Sequence, residues 1–254
     1  MGAPRKYTNY NSYLLPWADK MSKGENLAHK FLEKPAMYEK LPRLKGKTVL
    51  CIGCGLGEEC GYIKSLGAKK VVGIDISRKF IEYARKHNPH VEFHVMDMEA
   101  LDFPKNSFDF VYSSLVMHYV KKWDEILCKV YGLLKKTGVF LFSTHHPIKW
   151  AAEVQRASEV DSFLMGYKKY RSGDFQIFGD YFSARKIKDI WFDEFSVVYY
   201  HQPLSDIISS ILKSGFKIID FIEPKPLRCI AKKKNNFYKI HNKIPLFMIF
   251  ELKK

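Results

Sequence analysis

Lys47–Cys60 reads KTVLCIGCGLGEEC, and this stretch decides the fold. An apolar run, Thr48-Val49-Leu50-Cys51-Ile52, ends at three glycines spaced by two, Gly53, Gly55 and Gly57, and Glu58 and Glu59 then open a helix. A buried strand, a glycine turn and a helix N-terminus together bring backbone close to a ligand. Glycine takes the positive φ such a turn needs and has no Cβ to hold the ligand off. The new helix offers unpaired N–H groups. The pattern predicts a nucleoside cofactor at this turn.

Outward from the turn, strand and helix alternate. Val49–Ile52 is read as a strand, Glu58–Leu66 as a helix closed by Gly67, and Val71–Asp75 as a second strand. Ser77 caps a helix over Arg78–His87, which Pro89 stops. Further strands are expected at Val91–Val95, Asp109–Ser114 and Val139–Thr144, with a helix over Asp124–Lys135 that ends at a Thr137-Gly138 turn. Such alternation implies a mainly parallel sheet covered on both faces. A helix over Pro203–Lys213 and strands at Phe216–Ile222 and Leu246–Phe250 complete it, the last two as an antiparallel pair joined by a polar connection that includes Lys232–Asn242.

Two flanking regions differ in texture. Residues 1–46 read as a helical lead-in in which Tyr7, Tyr10, Tyr13 and Trp17 recur at helical spacing, either docking on the core or forming a lid; Pro35 and Pro42 punctuate it. Residues 146–200 carry Trp150, Tyr167, Tyr170, Phe175, Phe178, Tyr181, Phe182, Trp191 and Phe192 with weak periodicity. They read as a cap inserted over the ligand edge or as core packing under long loops. The division is then 1–46 lead-in, 47–145 cofactor core, 146–200 cap and 201–254 completion of the sheet, within one domain.

The chain has 254 residues, 46% hydrophobic and 27% charged, which fits a globular core of ordinary composition. No apolar run is long enough to span a bilayer. Five cysteines, an odd number, fit a reducing cytoplasm better than a disulfide framework. The net charge of +15 is spread over separated lysines such as Lys20, Lys64, Lys122 and Lys213, with one run of three at Lys232–Lys234. Net charge bears on non-specific attraction rather than on fold, so nucleic acid is an alternative partner rather than the favoured one.

Three ligand classes compete for the glycine turn. A phosphate loop needs G-x-x-x-x-G-K-[ST], which nothing around Gly57 matches. A dinucleotide site needs G-x-G-x-x-G, and here the third glycine comes one residue early, with Glu58 in its slot. Two glutamates at the helix start also repel a pyrophosphate while suiting the helix dipole. A ligand without phosphate, bearing an ammonium and a sulfonium, is easier to place: S-adenosylmethionine. Asp75, 20 residues after Gly55 at the tip of the second strand, is placed to accept from ribose hydroxyls, a feature an NAD site shares. Asp97, just past the third strand, is placed to accept from an adenine amino group, with Met96 or Met98 beside the ring.

VLCIGCGLG, VVGIDIS, VMDMEALDFPKNSFDFVYSSLVMHYV and LLKKTGVFLFS resemble successive motifs of the class I S-adenosylmethionine-dependent methyltransferases. The branch they are most similar to is the type 11 small-molecule group, which includes the ubiquinone/menaquinone-biosynthesis methyltransferases. The likeness is strong over about 45–145 and weaker over 199–220. It implies an α/β doubly wound, Rossmann-like fold, with a seven-stranded mostly parallel sheet, an antiparallel last strand and an inserted cap. Carried over by position, Gly53, Gly55 and Gly57 would line the methionine part of the cofactor, with Cys54 in the same binding set. Asp75 would bind the ribose, Ile76 would pack on the adenine, and Asp97 and Met98 would border it. Ser114 and Leu115 would face the cofactor from the other side. The family usually has Asp or Glu two residues before the first glycine, where this chain has Cys51.

Cys51 and Cys54 form a C-x-x-C, but Cys51 falls inside the strand rather than across a helix start, and no second pair follows for zinc. No metal is expected. Methyl transfer is an in-line displacement that positioning can largely catalyse, with a base needed only if the acceptor must lose a proton. The candidate bases are His118, after the fourth strand, and His145 or His146, after the fifth; each is otherwise a structural or loop histidine. The expected function is methyl transfer to O, N or C of a small molecule by a cytoplasmic monomer or homodimer. An RNA methyltransferase, or a cofactor-binding protein without turnover, is the alternative.

Overall fold

In this computed structural model, which describes residues 10–157, 160–191 and 195–254, the run before the glycine turn forms strand β1 (Thr48–Ile52), buried from Val49 onward. Alternate residues of a strand face opposite sides of its sheet. Val49 and Cys51 enter one core cluster, Leu50 and Ile52 the other. Both faces of β1 are covered, the setting in which a parallel sheet is found.

Helices α1 (Leu14–Lys23) and α2 (Lys34–Glu39) precede β1. After it come α3 (Glu58–Ser65), β2 (Lys70–Asp75), α4 (Arg78–His87), β3 (Glu92–Val95), β4 (Phe108–Ser113), α5 (Trp123–Leu133) and β5 (Leu134–His145). The short α6 (Pro147–Trp150) leads into three antiparallel hairpins: β6 (Glu153–Ala157) with β7 (Val160–Leu164), β8 (Gly166–Lys169) with β9 (Phe175–Phe178), and β10 (Arg185–Trp191) with β11 (Phe195–His201). Then follow α7 (Leu204–Lys213), β12 (Lys217–Ile222), α8 (Asn235–His241) and β13 (Phe247–Lys253).

The main sheet has seven strands in the order β12-β13-β5-β4-β1-β2-β3. β13 runs antiparallel to both neighbours, and the pairs from β5 through β3 are parallel. α5 and α7 supply Ile126, Leu127, Val130, Ile207 and Ile211 to one face; α3 and α4 supply Cys60, Ile63, Ile81 and Ala84 to the other. This is the expected doubly wound architecture. Its order reverses beside β1, between β4 and β2, and open α/β sheets bind ligands at such a point.

Several boundaries differ from the sequence reading. The helix expected over Asp124–Lys135 stops at Leu133, and Lys135 lies in β5. Leu133 and Leu134 are both buried, so the chain turns straight back into the core. The expected Thr137-Gly138 turn lies within β5 as a bulge, because Phe108 pairs with Leu134 while Phe110 pairs with Val139. The connection expected over Lys232–Asn242 contains α8, whose Phe237 and His241 rings sit 4.8 Å apart, one turn from each other. Phe237 docks on Leu246 and Phe247. β13 continues to Lys253, since Leu252 is still buried between Glu251 and Lys253.

Pro35 does not end a helix; it sits inside α2, directly after a π-helical turn at His29–Glu33. The wider turn accommodates a ring that would clash with a regular one. In the lead-in, Tyr13 meets the Phe195 ring edge-on at 4.2 Å and Trp17 lies 5.6 Å from it. Tyr7, Phe192 and the side chains of Tyr10 and Trp191 lie outside the described residues.

Candidate active site

The C-terminal ends of β1 to β5 open into a cavity of about 520 Å³, within the range of roughly 300–1,000 Å³ typical of small-molecule sites. The glycine turn forms one wall. Gly53 has φ +66°, and a Cβ there would lie 2.3 Å from Val116. Gly55 has φ +52°, and a Cβ there would meet nothing within 4 Å: it would project into open space. Gly57 caps α3 and turns away from the cavity, toward Ala84 and Phe93.

Asp75, at the tip of β2, ties this wall together. Its Oδ2 accepts the Gly55 N–H at 3.0 Å and its Oδ1 the Ser77 N–H at 2.8 Å. Burial nevertheless outweighs these bonds and raises its pKa. Ser77 caps α4 through the Phe80 N–H and donates its hydroxyl to Asn11 Oδ1 at 2.8 Å, which pins the lead-in beside Asp75. Asp97 accepts the Glu99 N–H at 2.8 Å, and Ile76, Met96, Asp97 and Met98 share the adjoining wall. Ser114 and Leu115 face them across the cavity. The ten cofactor positions singled out from sequence thus converge on this cavity, apart from Gly57, which shapes the turn from behind.

A charged network that sequence spacing does not single out lines one side of the cavity. His29 lies on the cavity wall with its Nε2 3.3 Å from Glu59 Oε1 and 3.5 Å from Glu33 Oε2. Lys34 bridges Glu58 at 2.8 Å and Glu59 at 3.3 Å. Burial alone would raise the Glu59 carboxyl, but the hydrogen bond and charge of His29, with the charge of Lys34, bring it down to about 2. Burial would likewise lower His29, yet Glu59 and Glu33 carry it above its ordinary value. The only local signals were the four-residue spacing of His29 and Glu33 and the Glu58-Glu59 pair.

Glu33 is wholly buried, and its Oε1 accepts from Ser143 Oγ at 2.5 Å and Ser114 Oγ at 2.8 Å. Ser143 in turn accepts the Leu115 N–H, where Leu115 holds a left-handed φ of 54°. Burial pushes the Glu33 carboxyl up, against the pull of His29 and the two hydroxyls. A raised carboxyl pKa favours the fold at low pH, and that contribution is lost as pH rises through the folded value. Glu33→Gln, which keeps an acceptor and carries no charge, is therefore expected to melt no lower than wild type at pH 8. A melting temperature several degrees lower at that pH would contradict this; a shortfall of about 1 kcal/mol would appear as roughly 2–4 °C.

The far end of the cavity is built on β5 and α6. His145 is sandwiched between His118, at 3.6 Å and 5°, and Trp150, at 4.0 Å and 14°. Tyr199 meets all three rings edge-on and donates its hydroxyl to Asp189 Oδ2 at 3.2 Å. Of the three candidate bases, His145 lines the cavity. His118 stands behind it, fully buried, with burial lowering its pKa to about 3. His146 points elsewhere: its Nε2 is 2.8 Å from Glu223 and its Nδ1 accepts the Ile148 N–H. Burial, aided by His118 and Lys149, holds the His145 imidazole well below the ordinary histidine range. Lys149 reaches the same wall over the Trp150 and Phe163 rings, at 5.2 and 4.8 Å, and burial lowers its pKa.

Cys51, Cys54 and Cys60 lie buried under the turn. Burial pushes the Cys54 thiol well up, and the hydrogen bond with Cys51 does the same to Cys60. Both sit far from the thiolate that exchange or metal ligation requires.

Residues 50–142 match the family model of the methyltransferase domain. The crystal structure of an S-adenosylmethionine-dependent methyltransferase from Mesorhizobium loti superposes with a TM-score of 0.72 at 27% identity, over 87% of this chain and 96% of that one. A Haemophilus influenzae protein of uncharacterised function is 29% identical over 230 residues, 87% of each chain. The fatty-acid O-methyltransferase of Mycolicibacterium smegmatis is 31% identical over 117 residues, 45% of this chain and 43% of that one. The cavity fits the cofactor these matches imply: Gly55 leaves open space where any side chain would intrude, and a half-buried carboxylate stands at the tip of β2.

Proposed function

The chain is a class I S-adenosylmethionine-dependent methyltransferase of the type 11 group, and we propose that its acceptor is a small molecule with an anionic group and a separate O–H or N–H nucleophile. Lys149 carries this reading. Its ammonium lies on the wall of a largely apolar cavity, partly buried; the charge of Asp189 on the same wall acts on it, but among the described residues it makes no ion pair. A partly desolvated cation with no ion pair is costly, and a ligand anion beside it would offset that cost. The fatty acids named for the mycobacterial relative carry such an anion.

When bound, the cofactor supplies a methyl group activated by its sulfonium. Asp75 would hold the ribose, Ile76 and Met98 the adenine, and Gly53 and Gly55 the methionine, all from the cavity wall. Glu59, ionised down to about pH 2, provides beside His29 the negative charge that the Cys51 position lacks. At the far end Lys149 holds the acceptor's anion, and His145, neutral because of burial, takes the nucleophile's proton. Trp17, Tyr119 and Phe163 line the same wall and exclude water.

The test is transfer of a labelled methyl group to a panel of hydroxy and amino acids and their phosphate counterparts. Lys149→Met is expected to raise KM for the productive acceptor by roughly tenfold or more while the cofactor Kd stays unchanged. Equal turnover of an acceptor and its uncharged analogue, or an unaltered KM in the variant, would sink the reading.

A further inference from the structure

The β8–β9 hairpin is unlike the rest of the surface. Its register sets Tyr167 opposite Ile177 and Lys169 opposite Phe175, so these four share one face. Tyr167 is 75% exposed, Phe175 66% and Ile177 64%. The opposite face carries Phe178, which is half-buried, and Lys168 and Gln176. Phe182, just beyond the hairpin, is 82% exposed. Lys169 shares this apolar face and Arg171 follows it in the turn, whereas Lys168 lies on the opposite face with its ammonium 5.1 Å over the Tyr170 ring; among the described residues neither Lys169 nor Arg171 makes an ion pair. The hairpin's one acid, Asp174, is engaged by the Ser172 hydroxyl at 2.7 Å.

A two-stranded ribbon is marginal by itself, and contiguous exposed apolar side chains mark a surface that something covers. Charge decides what. A second copy of the chain would bring Lys169 and Arg171 against their own image. Nucleic acid would use the rings for stacking but has no use for Ile177 beside them. A bilayer with anionic headgroups suits both features at once: aromatic and aliphatic side chains enter the headgroup boundary while the basic ones meet lipid phosphates.

We propose that the β8–β9 hairpin docks on an anionic membrane surface, with Tyr167, Phe175 and Ile177 inserted and Lys169 and Arg171 on the headgroups. The chain that leaves the hairpin is tied to the end of α6, where the Ala151 carbonyl accepts from the Asp180 N–H at 3.1 Å and from Arg185 Nη2, at the start of β10, at 2.9 Å. α6 also carries Lys149 and Trp150 of the cavity wall. Docking therefore sets the acceptor end of the cavity beside the lipid.

Sedimentation of the full chain with phosphatidylcholine vesicles, with and without phosphatidylglycerol, tests this. Binding is expected with phosphatidylglycerol and is expected to fade as salt rises. The triple variant Tyr167→Ser/Phe175→Ser/Ile177→Ser and the charge variant Lys169→Glu/Arg171→Glu should each lose roughly tenfold or more in affinity. Both should keep wild-type affinity for S-adenosylmethionine, which shows that they are folded. Absence of vesicle binding, or binding that neither variant weakens, overturns the proposal. So does a concentration-dependent dimer, or RNA binding, that the triple variant abolishes.

Discussion

Asp75→Ala is expected to weaken S-adenosylmethionine binding by roughly 100-fold, measured by calorimetric titration of the cofactor or its demethylated product; that is about 2.7 kcal/mol. Two effects combine. The carboxylate stands on the cavity wall at the tip of β2, where it can take a ribose hydroxyl in a charge-assisted bond of roughly 1.5–3 kcal/mol. It also holds the Gly55 and Ser77 N–H groups, so its loss leaves two donors at the turn unpaired and loosens the wall itself. The ligand-free protein should accordingly lose about 1–3 kcal/mol of stability. Asp75→Asn separates the two effects: its single carbonyl oxygen can serve one N–H or the other but not both, so its affinity should fall between alanine and wild type. Affinity within about threefold of wild type in the alanine variant would remove Asp75 from the site.

Which features were legible beforehand follows from the range of the interactions that make them. The glycine spacing, the Ser77 cap and the strands ending at Asp75 and Ser113 are short-range patterns, and their elements lie close to where the sequence placed them. The α5–β5 border was hidden because Leu133 and Leu134 are both buried, one closing a helix and the other opening a strand, with no break between them. α8 was hidden by its polarity, since Phe237 is its main apolar anchor. The network of His29, Glu33, Lys34 and Glu59 could not be read at all, because Glu33 meets Ser143 across 110 residues and Ser114 across 81. A fully buried glutamate in a helical lead-in looks, in sequence, like any solvated one.

The same limit explains the histidines. His118, His145 and His146 all follow strand ends, which is why the sequence could not choose among them. Strand alternation separates them in space: His145 is the last residue of β5 and turns inward, whereas His146 caps α6 and turns to Glu223. His118 reaches the region from a different loop and becomes the back of the stack. Lys149 carries no signal in the sequence, because the Phe163 ring beside it comes from β7 and meets it only in the fold.

His145→Gln is expected to reduce kcat by roughly 10²–10⁴ while the cofactor Kd stays unchanged, since proton removal is lost and the cofactor wall is intact. The pH dependence distinguishes a base from a structural ring. A base acts only when deprotonated, and burial, with His118 and Lys149 adding their repulsion to a proton, lowers the His145 pKa well below 6.5. The wild-type rate should thus stay level as pH falls through 6.5 and decline only at lower pH, whereas an exposed histidine base would already be half lost at about that value. In His145→Gln this acid limb should vanish along with the rate. His145→Gly adds a further check: imidazole supplied in solution can occupy the space between His118 and Trp150 and restore turnover, which a purely structural stack would not require. A kcat within about threefold of wild type in the glutamine variant, or an acid limb centred at the ordinary histidine value, would take the proton-accepting role away from His145.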